Sequence, residues 1–344
     1  MPSLSRRTTL VAVVVLVGAL VCAAALWWSA RPASELERAS RFAPSDTQRM
    51  AWTDWSRVRD EVGDPSDVAD LMRAGEDADL VSTSALASSA EALDTGLGIS
   101  PLTLRWELLA QGPEGAALLL RLPDDTEAAE VGERLEGLGY SRPEREDGVW
   151  DGGADVAANA GLSPQFQYVA VLGDESLLVA SDTQAYAETA ARTVRGDVAS
   201  ADGLDPLVDA AAGSASAFVF TGEYVCRELA LAQADPEAHA EGEALIEQAG
   251  GLHPLAGFAL AADSGRDVRA VMLFEDNRQA DEDLEARASL ASGPAVGQGG
   301  GFAERFRLRG AEANGPLVTL DLSRAEGAYV LSDLSSGPVL FASC

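Results

Sequence analysis

Residues 102–122 read LTLRWELLAQGPEGAALLLRL. Two apolar runs, 102–110 and 116–122, flank Gln111-Gly-Pro-Glu-Gly115, whose glycines and proline are turn formers. Apolar runs of this length on either side of such a turn read as a β-hairpin. Upstream the period changes. Between 66 and 97, Val68, Leu71 and Met72, then Leu80, Val81, Ala85 and Leu86, then Leu93 and Leu97 recur at spacings of three and four. That predicts amphipathic helices with a bend near Gly75. Before them, 50–53 reads as a strand, and Asp54 is placed to cap a short helix starting at Trp55. Downstream, 125–138 reads as a helix capped by Thr126. Then come a weak strand over 144–150, strands at 168–172 and 177–180 joined by Gly173-Asp174, and a helix over 185–194.

The same order returns further along. A strand is expected at 216–220, a helix from 221, and a break at Asp235-Pro236 that matches Asp64-Pro65. A hairpin follows from 258–262 to 268–274, then a helix over 281–290 and a glycine-rich loop at 292–301. The last strands, 306–309 and 317–322, pair across Glu312-Ala-Asn-Gly315, where Asn-Gly is a strong hairpin signal. A repeated order of elements predicts an internal duplication. The expected fold class is α+β: an N-terminal transmembrane helix, then an ectodomain of two tandem related modules, 47–205 and 206–344. Each module is expected to be a small, mostly antiparallel sheet covered by helices.

The membrane segment is 8–30, TTLVAVVVLVGALVCAAALWWSA, 23 residues without a charge. That length crosses a hydrocarbon core of about 30 Å as a helix. Trp27 and Trp28 suit a membrane–water interface, and Arg6 and Arg7 orient the N-terminus to the cytoplasm. Residues 1–7 are then a cytoplasmic tail and 31–46 a tether. The alternative is a signal peptide cut after Ala23-Ala24-Ala25, giving a secreted chain that starts at Leu26-Trp27-Trp28. Lipid attachment at Cys22 is disfavoured by Val21, where that processing wants Gly, Ala or Ser.

The chain carries 25 basic and 55 acidic residues, and every basic residue is arginine. Arg6, Arg7 and Arg31 flank the apolar segment, which leaves the rest near −33. Such a surface repels nucleic acid and anionic lipid. With no lysine, the Walker A loop, Schiff-base chemistry and Ser-Lys nucleophiles are all excluded. No serine sits in G-x-S-x-G. His239 and Glu243 stand at i and i+4, a workable metal spacing, yet a solvent-facing pair accounts for them. His253 falls in a loop. Gly96-Leu-Gly-Ile-Ser-Pro precedes a strand instead of following one, so it reads as a helix stop and not a dinucleotide loop. Gly297-Gln-Gly-Gly-Gly301 reads as a connector. Asp64, Asp67 and Asp70 suit a helix start electrostatically, and no D-x-D-x-D-G calcium loop accompanies them. Trp52 and Trp55 are expected in the core. No catalytic, cofactor or metal residue is assigned.

Two cysteines fall in the exported part, Cys226 and Cys344. Cys226 follows the strand 217–220, and 338–343 reads as a further strand that would lie beside it. A Cys226–Cys344 disulfide is therefore expected in an oxidising compartment.

The box Trp52-Thr-Asp-Trp-Ser-Arg-Val-Arg59 behind an N-terminal anchor resembles uncharacterised actinobacterial membrane-anchored cell-envelope proteins. The likeness implies location and carries no reaction. The expected function is that of a non-enzymatic, membrane-anchored extracytoplasmic protein that binds an envelope partner or ligand. The alternative is an envelope hydrolase using an Asp/Glu carboxylate pair, which needs the two groups about 5–10 Å apart in a cleft.

Overall fold

The computed structural model describes residues 32–63, 65–145 and 147–344. The tail, the anchor, Cys22 and Asp64 lie outside the described residues. No described helix is long and apolar enough to cross a membrane.

Strand β1 (Arg49–Thr53) pairs antiparallel with β7 (Ser216–Thr221), from Arg49↔Phe220 to Thr53↔Ser216. This one contact overturns the expectation of two small sheets, each in its own module. The other strands are β2 (Trp106–Gly112), β3 (Gly115–Arg121), β4 (Val149–Asp151), β5 (Tyr168–Leu172) and β6 (Leu177–Ser181). Beyond β7 come β8 (Gly257–Ala262), β9 (Asp267–Leu273), β10 (Phe306–Asn314) and β11 (Leu317–Arg324). All eleven form one antiparallel sheet in the order β10-β11-β9-β8-β7-β1-β2-β3-β6-β5-β4. The fold is thus a single large sheet with helices, and Glu35–Cys344 is one compact unit. The physical reason lies in the buried edges. Met50–Thr53 and Ser216–Phe220 are out of solvent, so an unpaired edge on either strand would strand backbone N–H and C=O groups. Each strand supplies the other's partners.

On both sides of this joint the pairing plan is alike. The opening strand pairs with the first strand of the hairpin, whose second strand pairs with the last strand of that half.

Helices cover both faces. On one lie α1 (Glu35–Ser40), α7 (Gln184–Val194) and α8 (Asp205–Ala210), packed on Trp52, Leu108, Leu119 and Val219. On the other lie α2 (Trp55–Val62), α3 (Val68–Asp77), α4 (Ala90–Leu97), α5 (Ala128–Leu138) and α6 (Gly153–Asn159). The same face carries α9 (Pro236–Gln248), α10 (Asn277–Leu290) and α11 (Val330–Ser335). Burial on both faces explains why the central strands are continuous apolar runs and do not alternate. Trp52 and Trp55 are core residues, as expected. Asp54 caps α2 by accepting the N–H of Arg57, and Asp235 caps α9.

Three local expectations are corrected. The helical stretch 66–97 resolves into α3 and α4 with an irregular segment between them, since Leu80, Val81 and Leu86 bury without helical hydrogen bonds. Glu127, not Thr126, occupies the N-cap of α5, and its side chain makes no capping bond. Residues 338–343 are not a strand; Leu340–Ala342 form a 3-10 turn, because their apolar side chains plug the helical face and do not extend the sheet.

Candidate functional site

Cys226 lies in the π-helical turn Val225–Leu229 and is bonded to Cys344, with the Cα atoms 5.6 Å apart. The chain leading to it, Val339–Ala342, is fully buried. Arg287 on α10 holds that chain, donating to the carbonyls of Phe341 at 2.9 Å and Ser343 at 2.6 Å. It also donates to the carbonyl of His253. Asp283 accepts from Arg287 Nε and from the His253 backbone N–H, and its Oδ1 lies 2.6 Å from His253 Nδ1. His253 is therefore committed to fastening the C-terminus. His239 makes an exposed pair with Glu243 at 3.4 Å. Among the described residues no cluster of His, Cys, Asp and Glu fits a metal ion.

Besides Asp283, two further carboxylates are buried among the described residues. Glu107 on β2 accepts from Ala85 N at 2.5 Å, Ser84 Oγ at 2.8 Å and Trp55 Nε1 at 3.2 Å. Burial pushes its carboxyl up to about 7 despite those bonds. Asp79 accepts the Leu331 and Ser332 N–H groups at the start of α11, and burial pushes it up to about 6. Together they tie the irregular segment between α3 and α4 to the sheet and to α11. Neither lines a described cleft, so both act as structural acceptors. The glycine loop is likewise a connector: Arg305 takes the carbonyls of Gln298 and Gly299, and Gln298 donates to Pro338. Gly98 is the left-handed cap that ends α4.

A cleft of about 850 Å³ opens beside β4, at one edge of the sheet. Its floor is Trp150, Val171 and Leu172, all buried. Gly132 on α5 makes room for the indole, since a Cβ there would lie 3.0 Å from Trp150 Cζ2. The Arg142 guanidinium stands over the Trp150 ring at 5.3 Å, a cation–π geometry. Arg145 and Arg195 converge on Asp147. Arg145 Nε and Nη2 each donate to it at 3.2 Å, and Arg195 Nη1 lies 3.2 Å from its Oδ2. Burial acts to raise the Asp147 carboxyl, but the hydrogen bonds and charges of the two arginines outweigh it and hold the group below its usual range. A second cleft of about 550 Å³ lies across the same loop and adds Arg192.

A third, smaller cleft of about 410 Å³ contains Glu35, Asp54 and Asp60 beside Arg57 and Arg105. Asp54 is raised there, mainly by burial and to a lesser degree by the charge of Glu35.

The arginine-lined cleft was not singled out in the sequence. Ser141-Arg-Pro-Glu-Arg145 and Arg192-Thr-Val-Arg195 are locally basic words in a very acidic chain, and that was the available signal. Nothing in it showed that the two words meet.

No family model matches the chain, and no curated protein matches it. Among solved structures, crystal form I of TP0453 is similar at 7% identity, over 90% of this chain and 100% of that one, with a TM-score of 0.42. Crystal form III of TP0453 is similar at 8% identity, over 85% and 96%, with a TM-score of 0.44. The 5-dimethylallyl tryptophan synthase from Streptomyces coelicolor reaches 0.15 at 13% identity, over 83% and 80%. Likenesses at these scores carry no inference about what this chain does.

Proposed function

We propose that this chain is a non-enzymatic, membrane-anchored extracytoplasmic protein that binds a partner or ligand of the cell envelope, through the cleft beside β4. The observation that carries the binding reading is the composition of that cleft. It has an apolar floor under a charged rim, and its lining contains no Ser, Thr, Cys, His or Tyr. Such a lining can hold and orient a molecule and offers no hydroxyl, thiol or imidazole for covalent work; of its five carboxylates, Asp147 is held below its usual range by Arg145 and Arg195 and is spoken for as their partner. The extracytoplasmic placement is supported by the Cys226–Cys344 bond, which is stable in oxidising compartments and rare in reducing ones. It also fits the uncharged 8–30 segment.

The alternative, an envelope hydrolase, would place its acid at Asp54, the one raised carboxyl lining a described cleft. That carboxylate already accepts the Arg57 N–H as the α2 cap and lies 3.6 Å from the Arg57 guanidinium. These tasks compete with proton donation, so the binding reading is preferred.

Native mass spectrometry of the full chain, extracted from its own membrane fraction, tests the proposal. A small-molecule adduct that disappears in Arg142→Ala is expected. Turnover of envelope fragments that is abolished in Asp54→Asn would replace the binding reading by the hydrolase.

A further inference from the structure

Three buried polar side chains stand in a row across the middle of the sheet. Thr53 on β1 lies directly opposite Glu107 on β2 and Ser216 on β7, and all three are out of solvent. Directly opposed residues share one face of a sheet. The irregular segment between α3 and α4 crosses over that row. Ser216 Oγ donates to the Leu80 carbonyl, the Thr53 and Thr83 hydroxyls lie 2.6 Å apart, and Glu107 accepts from Ser84 Oγ and the Ala85 N–H. At the near end Asp79, with φ 57°, accepts the Leu331 and Ser332 N–H groups of α11. Among the described residues, no main-chain group from Asp79 to Leu86 bonds to main chain outside residues 75–89. Leu80, Val81 and Leu86 add apolar burial. Every hydrogen bond that fastens the segment to another element therefore uses a side chain, and carboxylates supply the holds on β2 and on α11.

We infer that Asp79–Leu86 is a pH-sensitive strap, which lets go of the sheet and of α11 as one unit when Glu107 and Asp79 ionise. Burial penalises the charged form of each carboxyl and pushes Glu107 up to about 7 and Asp79 up to about 6. Only the Ala85, Ser84 and Trp55 donors act on Glu107 besides burial, and none of them is charged. Asp79 is faced by Arg324 of β11 and Asp333 of α11, whose charges oppose each other. The strap itself carries no other charged residue. Opening it admits water to both carboxyls and returns them toward their ordinary values. A group whose value is raised in the closed form favours that form at low pH, and the preference is lost as the pH rises through the raised value. Here the full preference is present below about pH 4 and fades through 6 and 7. Between pH 5 and 8 the opening constant rises roughly seventyfold through Glu107 and roughly tenfold through Asp79. One event thus bares the polar row where β1 meets β7 and unfastens α11.

Hydrogen exchange of the full chain between pH 5 and 8, read by mass spectrometry as protection relative to each amide's intrinsic rate, tests the strap. The reporters are Ala85, bonded to Glu107, and Leu331, bonded to Asp79. Leu118–Leu120 on β3, fully buried, report opening of the whole fold. Both reporters should be less protected than β3 and should lose protection together as the pH rises. Because they belong to one unit, each substitution should act at the distant reporter. Glu107→Gln, which keeps an acceptor for Ala85, should leave Leu331 with only the roughly tenfold loss due to Asp79. Asp79→Asn, with a side chain that tolerates the left-handed backbone there, should leave Ala85 with only the roughly seventyfold loss due to Glu107. Should Glu107→Gln fold poorly, Asp79→Asn decides alone. A pH slope unchanged at Leu331 in Glu107→Gln, or unchanged at Ala85 in Asp79→Asn, would overturn the inference. Protection at both reporters equal to that of Leu118–Leu120 would overturn it too, since the segment would then open only with the whole chain.

Discussion

Arg287 Nη2 lies 3.0 Å from Asp283 Oδ2, one turn away on α10, and neither side chain is more than 3% exposed. A buried pair contributes little net stability, because desolvation offsets the attraction, but removing one partner leaves an uncompensated charge. Arg287 carries more than this pair, since its guanidinium also takes the carbonyls of Phe341, Ser343 and His253. Burial lowers its own ionisation to about 10, still charged at neutral pH. Arg287→Met is therefore expected to cost about 3–5 kcal/mol. Urea unfolding at pH 7 measures it. A cost under about 1 kcal/mol would show that water replaces the guanidinium.

Glu107 predicts a pH dependence. Its folded value is near 7 against an ordinary 4.5. Within that window the folded chain keeps a proton that the unfolded chain has lost. Its contribution to stability is complete below pH 4.5 and declines as the pH rises through about 7, by an amount on the order of 3 kcal/mol. Glu107→Gln removes the titration while keeping an acceptor for Ala85. Between pH 4.5 and 8 the parent chain should thus lose more stability than the variant. Equal pH slopes in the two chains would count against a buried, titrating Glu107.

Legibility followed locality. The hairpin at residues 102–122 was readable because its turn lies within the chain, and pairing runs from Trp106↔Arg121 to Gly112↔Gly115. Asp54 and Gly98 were readable for the same reason, as caps act over three or four residues. The β1–β7 joint was not, because nothing local to Met50 or Val219 says which strand fills an edge. The cleft failed in the same way: Arg145 and Arg195 lie 50 residues apart and meet only through Asp147. Cys226 and Cys344 were matched despite their separation because only two cysteines lie beyond the 8–30 segment. The geometry expected for them, a strand beside a strand, was nonetheless wrong.

Gly222 marks a close approach of two backbones. A Cβ there would overlap the Leu255 carbonyl oxygen, and the Gly222 N–H is already bonded to Ala256 O at 3.0 Å. The clash is with main chain that cannot rotate away. Gly222→Ala should cost about 1–3 kcal/mol or more, as for other overpacked sites. Gly137 is the contrast: it lies within α5, and a methyl added there would meet nothing within 4 Å. Gly137→Ala should raise stability by about 0.5–1 kcal/mol through helix propensity. Thermal melts of both variants test the pair, and the prediction fails if both move the same way.

The Cys226–Cys344 bond closes a span of 118 residues. On the chain-entropy account its removal should cost about 4–5 kcal/mol, almost all of it by freeing the unfolded chain. The folded C-terminus has other fastenings, because Val339–Ala342 are buried and Arg287 holds two carbonyls nearby. The Cys226→Ser, Cys344→Ser double variant should accordingly keep its C-terminal turn docked while unfolding at markedly lower denaturant. Amide exchange at Leu340–Ala342 reads the docking, and urea midpoints read the stability. Should exchange there become fast under native conditions, the bond would be a local clamp and not an entropic one. Peptide mapping without reductant checks the premise: the native chain should yield the crosslinked pair, and alkylatable Cys226 and Cys344 would remove both the stability argument and the support it lends to an oxidising compartment.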